Sequence, residues 1–419
     1  MIYVNFTDKN NNTIIDRIGY EFLVKDLNTK IVRTLTLDEI KELVTDNSMK
    51  CTFYLYSLYD DETVKEDLSA YVLDGGTLSI NYNSGVRRNL SINIFNEKNW
   101  VAHPFQGFLW KGAKFKLEVG IETSSVEYVY SAGVFILKDF EIPHQYIKNE
   151  IKLEMVDKFG GLDGTVGGKI IDGIYIPRGS NIIQVVKSLL KTERIDGVPF
   201  DVKTPIFPVW AYYETTPYSI TESSDSTIGS LIIKLLLIIN LDVFYDEHGR
   251  LCTEEMRENI LVDSLPSLWT FNKEDNLYSS HNFKTDFQAV ENIVVVEGAN
   301  INGDIISARV ENDNPKSPTN VTIFEPTICK VVDENIASVS SALARAKYEL
   351  FKRSLLPMAE TFSTVLIPAL NVNNAVTIND AHCGLVDARF LINSISIPVA
   401  GTTKMNLTVN NLEEVALNG

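Results

Sequence analysis

Five histidines, His103, His144, His248, His281 and His382, are the side chains best suited to acid–base or metal chemistry in this 419-residue chain. Zinc sites bring two donors to one ion by close spacing, as in HExxH or His-x-His. None of the five has such a partner, and no carboxylate stands at zinc-ligand spacing. His103 precedes Pro104 and His248 sits in the turn-like DEHG at 246–249, so both are expected in solvent-exposed loops. Nucleophile signatures are missing as well, with no GxSxG elbow in the chain. The four cysteines, Cys51, Cys252, Cys329 and Cys383, stand far apart without a CxxC pair, which argues against a zinc ribbon or disulfide framework and predicts free thiols.

Phosphate and calcium chemistry fail the same test. Six glycines fall within KFGGLDGTVGGKIIDG at 158–173, but a Walker loop would need glycine at 163 and serine or threonine at 170, where Asp163 and Ile170 stand. The run is expected to be a flexible domain exit. Asp8, Asn10 and Asn12 have the opening spacing of a calcium loop, yet Thr13 replaces its glycine and Gly19 its closing glutamate, so a polar turn is expected. Trp210, Tyr212 and Tyr213, in the proline-flanked loop TPIFPVWAYYETTP at 204–217, could stack a sugar ring or a base. Packing beneath a long loop or at a subunit interface is the simpler expectation. No catalytic residue, cofactor site or metal ligand is therefore assigned.

Charge narrows the partners. With 55 acidic and 38 basic residues the net charge is −17, a surface sign that repels phosphate backbones. Sequence-specific nucleic-acid binding is not expected, although a passage through which DNA slides without sticking would also be acidic. The aliphatic run Leu231–Leu241 is interrupted by Lys234 and Asn240, and a bilayer-spanning helix needs about 20 apolar residues, so no membrane span is expected. The N-terminus, MIYVNFTDKNNN, carries neither a basic nor an apolar signal region, which predicts folding in the cytoplasm where the chain is made.

The elements are mostly strands. Leu78, Ile80 and Tyr82, a turn at Asn83-Ser84-Gly85, then Leu90, Ile92 and Ile94 read as a hairpin. KFKLEVGI at 114–121 and NEIKLEMVD at 149–157 alternate in the same way, and strands return after about residue 280 in ENIVVVEG, DIISARV and KMNLTVNN. Helices are few. Thr36 and Glu39 form a capping box, with Leu35 and Ile40 as its hydrophobic staple. Ser180 is expected to cap a helix in SNIIQVVKSLLK, and Ser226 or Thr227 one that starts at Ile228, ends near Asn240 and leads into a hairpin around DEHG. In a helix over 336–355, Ile336, Val339, Leu343, Ala346 and Leu350 form an apolar stripe and Glu349 pairs with Arg353.

One repeat organises these elements. FILKDFEIP at 135–143 and FLINSISIP at 390–398 share Phe, Ile and Pro at positions one, eight and nine, and each is followed by an alternating strand, EIKLEMV or KMNLTV. Two related β-domains with a helical insert between them are expected, with Pro143 on Pro398 and Ile151 near Met405.

Three stretches together resemble the baseplate hub, or tail-tip hub, proteins of tailed bacteriophages and phage-tail-like particles. They are RRNLSINIFN with FLWKGAKFKLEVGI and NEIKLEMVDKFGGLDG, then STIGSLIIKLLLIINLDVFYDEHGRL, and finally ENIVVVEGANINGDIISARV with ALARAKYELFKR and FLINSISIPVAGTTKMNLTVNN. The resemblance implies a mainly β fold with a small α+β insert, in which two tail-tube-like β-barrel domains flank a helix-hairpin domain. It implies a first barrel over 77–165, an insert over 166–279 and a second barrel over 280–419, while residues 1–76 are left as an unplaced N-terminal extension. It further implies a non-enzymatic virion protein, a homotrimeric ring continuing the hexameric tail tube. Its partners would be the tube or tube-initiator protein, a central spike, the tape-measure protein and baseplate wedge or distal tail proteins, with DNA free to pass through the lumen. The alternatives are a tail-tip cell-wall or glycan hydrolase and a carbohydrate-binding tail module; with the second β-domain running to Gly419, no appended catalytic domain is expected.

Overall fold

Strict alternation makes one face of a strand apolar, and that face has to be buried. In the computed structural model, which describes residues 2–7, 13–25, 30–45, 49–96, 109–123, 126–143, 149–192, 199–255, 266–272, 278–285, 287–299, 304–315, 317–333, 336, 338–354, 358–380, 384–399 and 404–411, the alternating segments build one open sheet of sixteen strands. Its first part comprises β1 (Ile2–Thr7), β2 (Thr13–Lys25), β3 (Lys30–Leu35), helix α1 (Leu37–Val44), β4 (Lys50–Leu58), β5 (Val64–Asp67), β6 (Val72–Asn81), β7 (Arg88–Phe95), β8 (Lys114–Glu122), β9 (Glu127–Glu141) and β10 (Glu150–Asp157). An insert follows, with β11 (Ile174–Ile176), α2 (Ile182–Lys191), β12 (Ile220–Glu222), α3 (Ile228–Leu237), β13 (Leu241–Tyr245) and β14 (Leu251–Glu255). The chain rejoins the sheet with β15 (Trp269–Asn272) and β16 (Tyr278–Thr285), and leaves it for a module of β17 (Ile293–Ala299), β18 (Ile305–Glu311), β19 (Ile328–Val332) and α4 (Val339–Ser354). It ends in the sheet with β20 (Met358–Val365), β21 (Ala375–Asp380), β22 (Leu385–Pro398) and β23 (Lys404–Asn411).

The order across the sheet is β16-β20-β23-β22-β6-β7-β10-β9-β8-β4-β5, with β21 also on β22 and β15 on β21. Among the described residues no barrel closes. The order contains the same five strands twice, β6-β7-β10-β9-β8 and β16-β20-β23-β22-β21, met in the same sequence along the chain. The six pairs of β9 with β10, from Lys152↔Glu141 to Asp157↔Phe135, map one for one onto the six of β22 with β23, from Ser396↔Asn406 to Phe390↔Asn411. Each ladder carries a β-bulge at the matching residue, Lys138 in β9 and Asn393 in β22. Ile151 and Met405 are thereby equivalent, and so are Leu153, opposite Phe140, and Leu407, opposite Ile395. The flanks differ, since β4 runs antiparallel to β8 and β15 parallel to β21.

Of residues 1–76, left unplaced on sequence, the described strands β2 and β4 and helix α1 are part of the same body. β4 pairs with β8 along its whole length, β2 with β9, and Tyr20, Phe22, Leu35, Ile40 and Leu55 sit in the core that both β-units share. Thr36 and Glu39 form the reciprocal capping box of α1.

Three local expectations are corrected. The glycine run is a close-packed loop, not a flexible exit: the Val166 N–H donates to the Gly160 carbonyl, and a Cβ on Gly168, at φ +86°, would lie 2.2 Å from the Leu162 oxygen. Helix α2 is capped by Asn181, whose side chain accepts from the Gln184 N–H, one residue after Ser180. On α4 the buried face is Ala342, Ala346 and Leu350 while Val339 and Leu343 are exposed, because the helix lies on the β17–β18 surface through its small residues.

Candidate functional site

The two β-units meet edge to edge. β6 pairs antiparallel with β22 from Ser394↔Asn81 to Pro398↔Thr77, and the ladder is prolonged at both ends by Tyr82 N–H to Asn393 O at 2.9 Å and Gly75 N–H to Val399 O at 2.9 Å. Glycine is required here, because a Cβ on Gly76, at φ +103°, would lie 2.4 Å from the Ser91 carbonyl oxygen. Facing away from the core, Ser363, Asn406, Ser396, Ser79 and Asn89 form one row across five strands, and Thr361, Thr408, Ser394 and Asn81 a second across four. Ser and Thr hydroxyls and Asn amides make the whole of both rows, and the same face carries charge beside them at Lys404 on β23, at Lys152 and Glu154 on β10 and at Asp139 and Glu141 on β9. The two rows themselves are a hydrated strip with neither cations to trap phosphate nor apolar groups to hold protein.

The α3–β13–β14 unit is rooted beside this seam by buried charge. Thr227 caps α3, which ends at Leu237, Asn240 at φ +55° turns the chain into β13, and β13, buried at all five residues, pairs with β14 across the turn Asp246–Gly249. Lys158, at the end of β10, is 1% exposed; its ammonium contacts Glu62 at 2.6 Å and Asp201 at 2.5 Å and donates to the Gly249 carbonyl at 2.9 Å. Glu62 also receives Lys203 at 2.8 Å and Lys114 at 3.5 Å, and the Tyr245 hydroxyl donates to Asp201 at 2.8 Å. Burial opposes the Glu62 charge, but Lys158 and Lys203 hold its pKa below the usual carboxylate value. Burial pushes the Tyr245 hydroxyl well above the ordinary phenol range, with Asp201 adding to it. Arg87 and Arg88 donate backbone N–H bonds to Asp157, whose burial lifts its pKa to about 6 in spite of them.

Glu254 ties all three parts together, pairing with Arg87 from the first β-unit and accepting from Asn373 of the second at 3.0 Å. The Arg87 guanidinium also lies 4.0 Å from the Phe244 ring. Where the parts meet, a cavity of about 70 Å³ is lined by Tyr20, Leu78, Arg88, Tyr130, His248 and Ile395 among others, room for a few waters and not for an ordinary ligand.

The sequence-level candidates scatter. His248 is half-buried, not solvent-exposed, because its turn docks on β9 through Ser131 and on Lys203; burial lowers its pKa. Residues 8–12, His103, His144, His382 and Cys383 lie outside the described residues. Cys51, Cys252 and Cys329 are free and buried. Trp210 donates to Glu255 at 2.9 Å, Tyr212 packs edge-on against Phe207 under Lys187, and Tyr213 is exposed. Among the described residues no group of three or more His, Cys, Asp or Glu could hold a metal ion, and no helix is long and apolar enough to cross a membrane. Sequence reasoning missed the buried charge cluster, whose only signal was a lysine directly after an alternating strand.

No protein-family model matches the chain, and neither does any characterised protein at the sequence level. Solved structures match in fold. A tail protein from Neisseria meningitidis MC58 aligns over 87% of this chain and 98% of its own, at TM-score 0.57 and 11% identity. The 43 kDa tail protein of prophage MuSo2 from Shewanella oneidensis aligns over 86% and 98%, at 0.54 and 15%. A chain of the Francisella PdpA–VgrG complex aligns over 89% of this chain and 60% of its own, at 0.51 and 8%.

Proposed function

From a chain with the fold of phage tail proteins, we propose a structural hub of a phage tail or tail-like particle. Three copies close a ring whose six β-units continue a hexameric tail tube, with the β-units acting as tube-like domains and the α3–β13–β14 insert lying between them. The observation that carries this reading is the duplicated five-strand order joined edge to edge through β6 and β22. A unit that pairs head to tail with its own copy by an edge forms a ring where the rotation closes, and two such units per chain turn three-fold into quasi-six-fold symmetry. The charge-free rows suit the wall of a channel. In this reading the ring joins the tube to a central spike and the surrounding baseplate, the tape-measure protein and DNA meet its lumen, and the chain carries out no catalysis.

Light scattering on the purified chain, alone and co-expressed with a spike, is expected to report trimers, and a dimer in both settings overturns the reading. Duplex DNA binding at physiological salt is expected to be undetectable in a filter assay. Dye release from purified cell walls above the buffer blank would contradict the non-catalytic role.

A further inference from the structure

The internal seam dictates how one copy meets the next. Within the chain, β6 of the first unit covers residues 394–398 of β22 in the second. The matching edge in the first unit is residues 139–143, at the end of β9 and just beyond it, and among the described strands nothing pairs with it on the side away from β10. Burial reports the same vacancy. Ile397, under β6, is 6% exposed, whereas its counterpart Ile142 is 39% exposed; Ile395 is 2% exposed and its counterpart Phe140 only half-buried. The counterpart of β6 is β16, the terminal strand of the sheet. Its register on β20 reproduces that of β6 on β7: Lys284↔Ala359 matches Ser79↔Asn89, Phe283↔Glu360 matches Leu78↔Leu90, and both ladders shift at the same point, between Ser279 and His281 in β16 and between Leu73 and Gly76 in β6.

We infer that β16 of one copy pairs antiparallel with residues 139–143 of a second copy, in the register of the internal seam. Phe140 then lies opposite Thr285, Glu141 opposite Lys284, Ile142 opposite Phe283 and Pro143 opposite Asn282. The proposal rests on the ring reading and specifies its contact. The partner is another copy of this chain, since residues 139–143 and β16 are the counterparts of the two edges that the internal seam joins. Charge agrees, because the pair that replaces Ser396↔Ser79 sets a glutamate against a lysine. Three internal and three external seams of one geometry close a six-unit ring, and neither edge of that geometry is left over for further growth.

Disulfide trapping tests the register in a Cys383→Ser background. Cross-strand neighbours lie within disulfide reach. Under mild oxidation Ser79→Cys with Ser396→Cys is expected to close within one chain, which validates the method on the known seam. Glu141→Cys with Lys284→Cys is expected to give covalent dimers and then trimers on a non-reducing gel. Glu141→Cys with Phe283→Cys, slipped by one residue and so on opposite faces, is expected to give at least tenfold less. Melting curves matching the parent show that the variants fold. A trimer by light scattering that resists the 141–284 cross-link while the internal control closes overturns the inference and leaves the ring standing. Cross-linking that stops at dimers overturns it in favour of a two-fold edge contact. A chain that is monomeric at every concentration overturns the ring and the inference with it.

Discussion

Lys158→Met should loosen the insert from the first β-unit. The ammonium it removes is 1% exposed and lies 2.6 Å from Glu62, 2.5 Å from Asp201 and 5.0 Å from the Tyr245 ring centre. Methionine preserves the stem volume, so the loss is electrostatic. Glu62 keeps Lys203 and Lys114, and Asp201 keeps the Tyr245 hydroxyl and the Lys203 N–H, so neither carboxylate is wholly abandoned. Removing one partner of a buried ion pair costs about 3–5 kcal/mol, and the remaining contacts place this case near the lower figure. For a cooperative unit of some 200 residues, about 3 kcal/mol corresponds to roughly 6–12 °C in melting temperature. Asp201→Asn in the same background should restore part of the loss, because it removes a carboxylate that has lost its counter-charge. The deficit should also shrink from pH 7 to pH 5 as Glu62, which has lost the first of the two lysines that hold its pKa down, takes up a proton more readily. Urea melts followed by tryptophan fluorescence and circular dichroism measure all three effects. A loss below about 1 kcal/mol, or one independent of pH, would refute the claim that this cluster fastens the insert.

Leu235→Asp, placing a charge at a fully buried position of α3, should destabilise by several kcal/mol in the same melts, while Lys234→Ala should lose no more than about 1 kcal/mol, since it breaks a partly exposed pair with Glu222. Gly168→Ala should cost about 3 kcal/mol, from the left-handed backbone and the clash with the Leu162 oxygen; a near-neutral melt would restore the flexible reading of that loop. Asp157 has a folded pKa of about 6, above its unfolded value, so its contribution is fully present below about pH 4 and declines as pH rises through 6, by an amount on the order of 3 kcal/mol. Wild type should therefore gain stability relative to Asp157→Asn on going from pH 7 to pH 4, and a constant difference would contradict the assignment.

What sequence alone determined here is whatever depends on near neighbours. Strand alternation from Leu78 to Ile94, the capping box of Thr36 and Glu39 and the turn at Gly249 are encoded within some twenty residues, because side-chain period, caps and left-handed turns are local properties, and the FILKDFEIP repeat is legible because each of its two copies is itself a local pattern. The stripe on α4 shows the limit of that reasoning. Periodicity defines an apolar face, and Ala346 and Leu350 of that face are buried, but the surface that the helix meets took Ala342 in place of Val339 and Leu343, which stay exposed. His248 and Lys158 are harder still, since their burial depends on the β4–β5 turn, β9, β10 and the 201–203 segment converging from four parts of the chain. Edge pairing lies furthest from the local code. Any alternating strand offers the same backbone donors and acceptors, so only the assembled sheet could decide that β6 joins β22 and leaves residues 139–143 and β16 at its open edges.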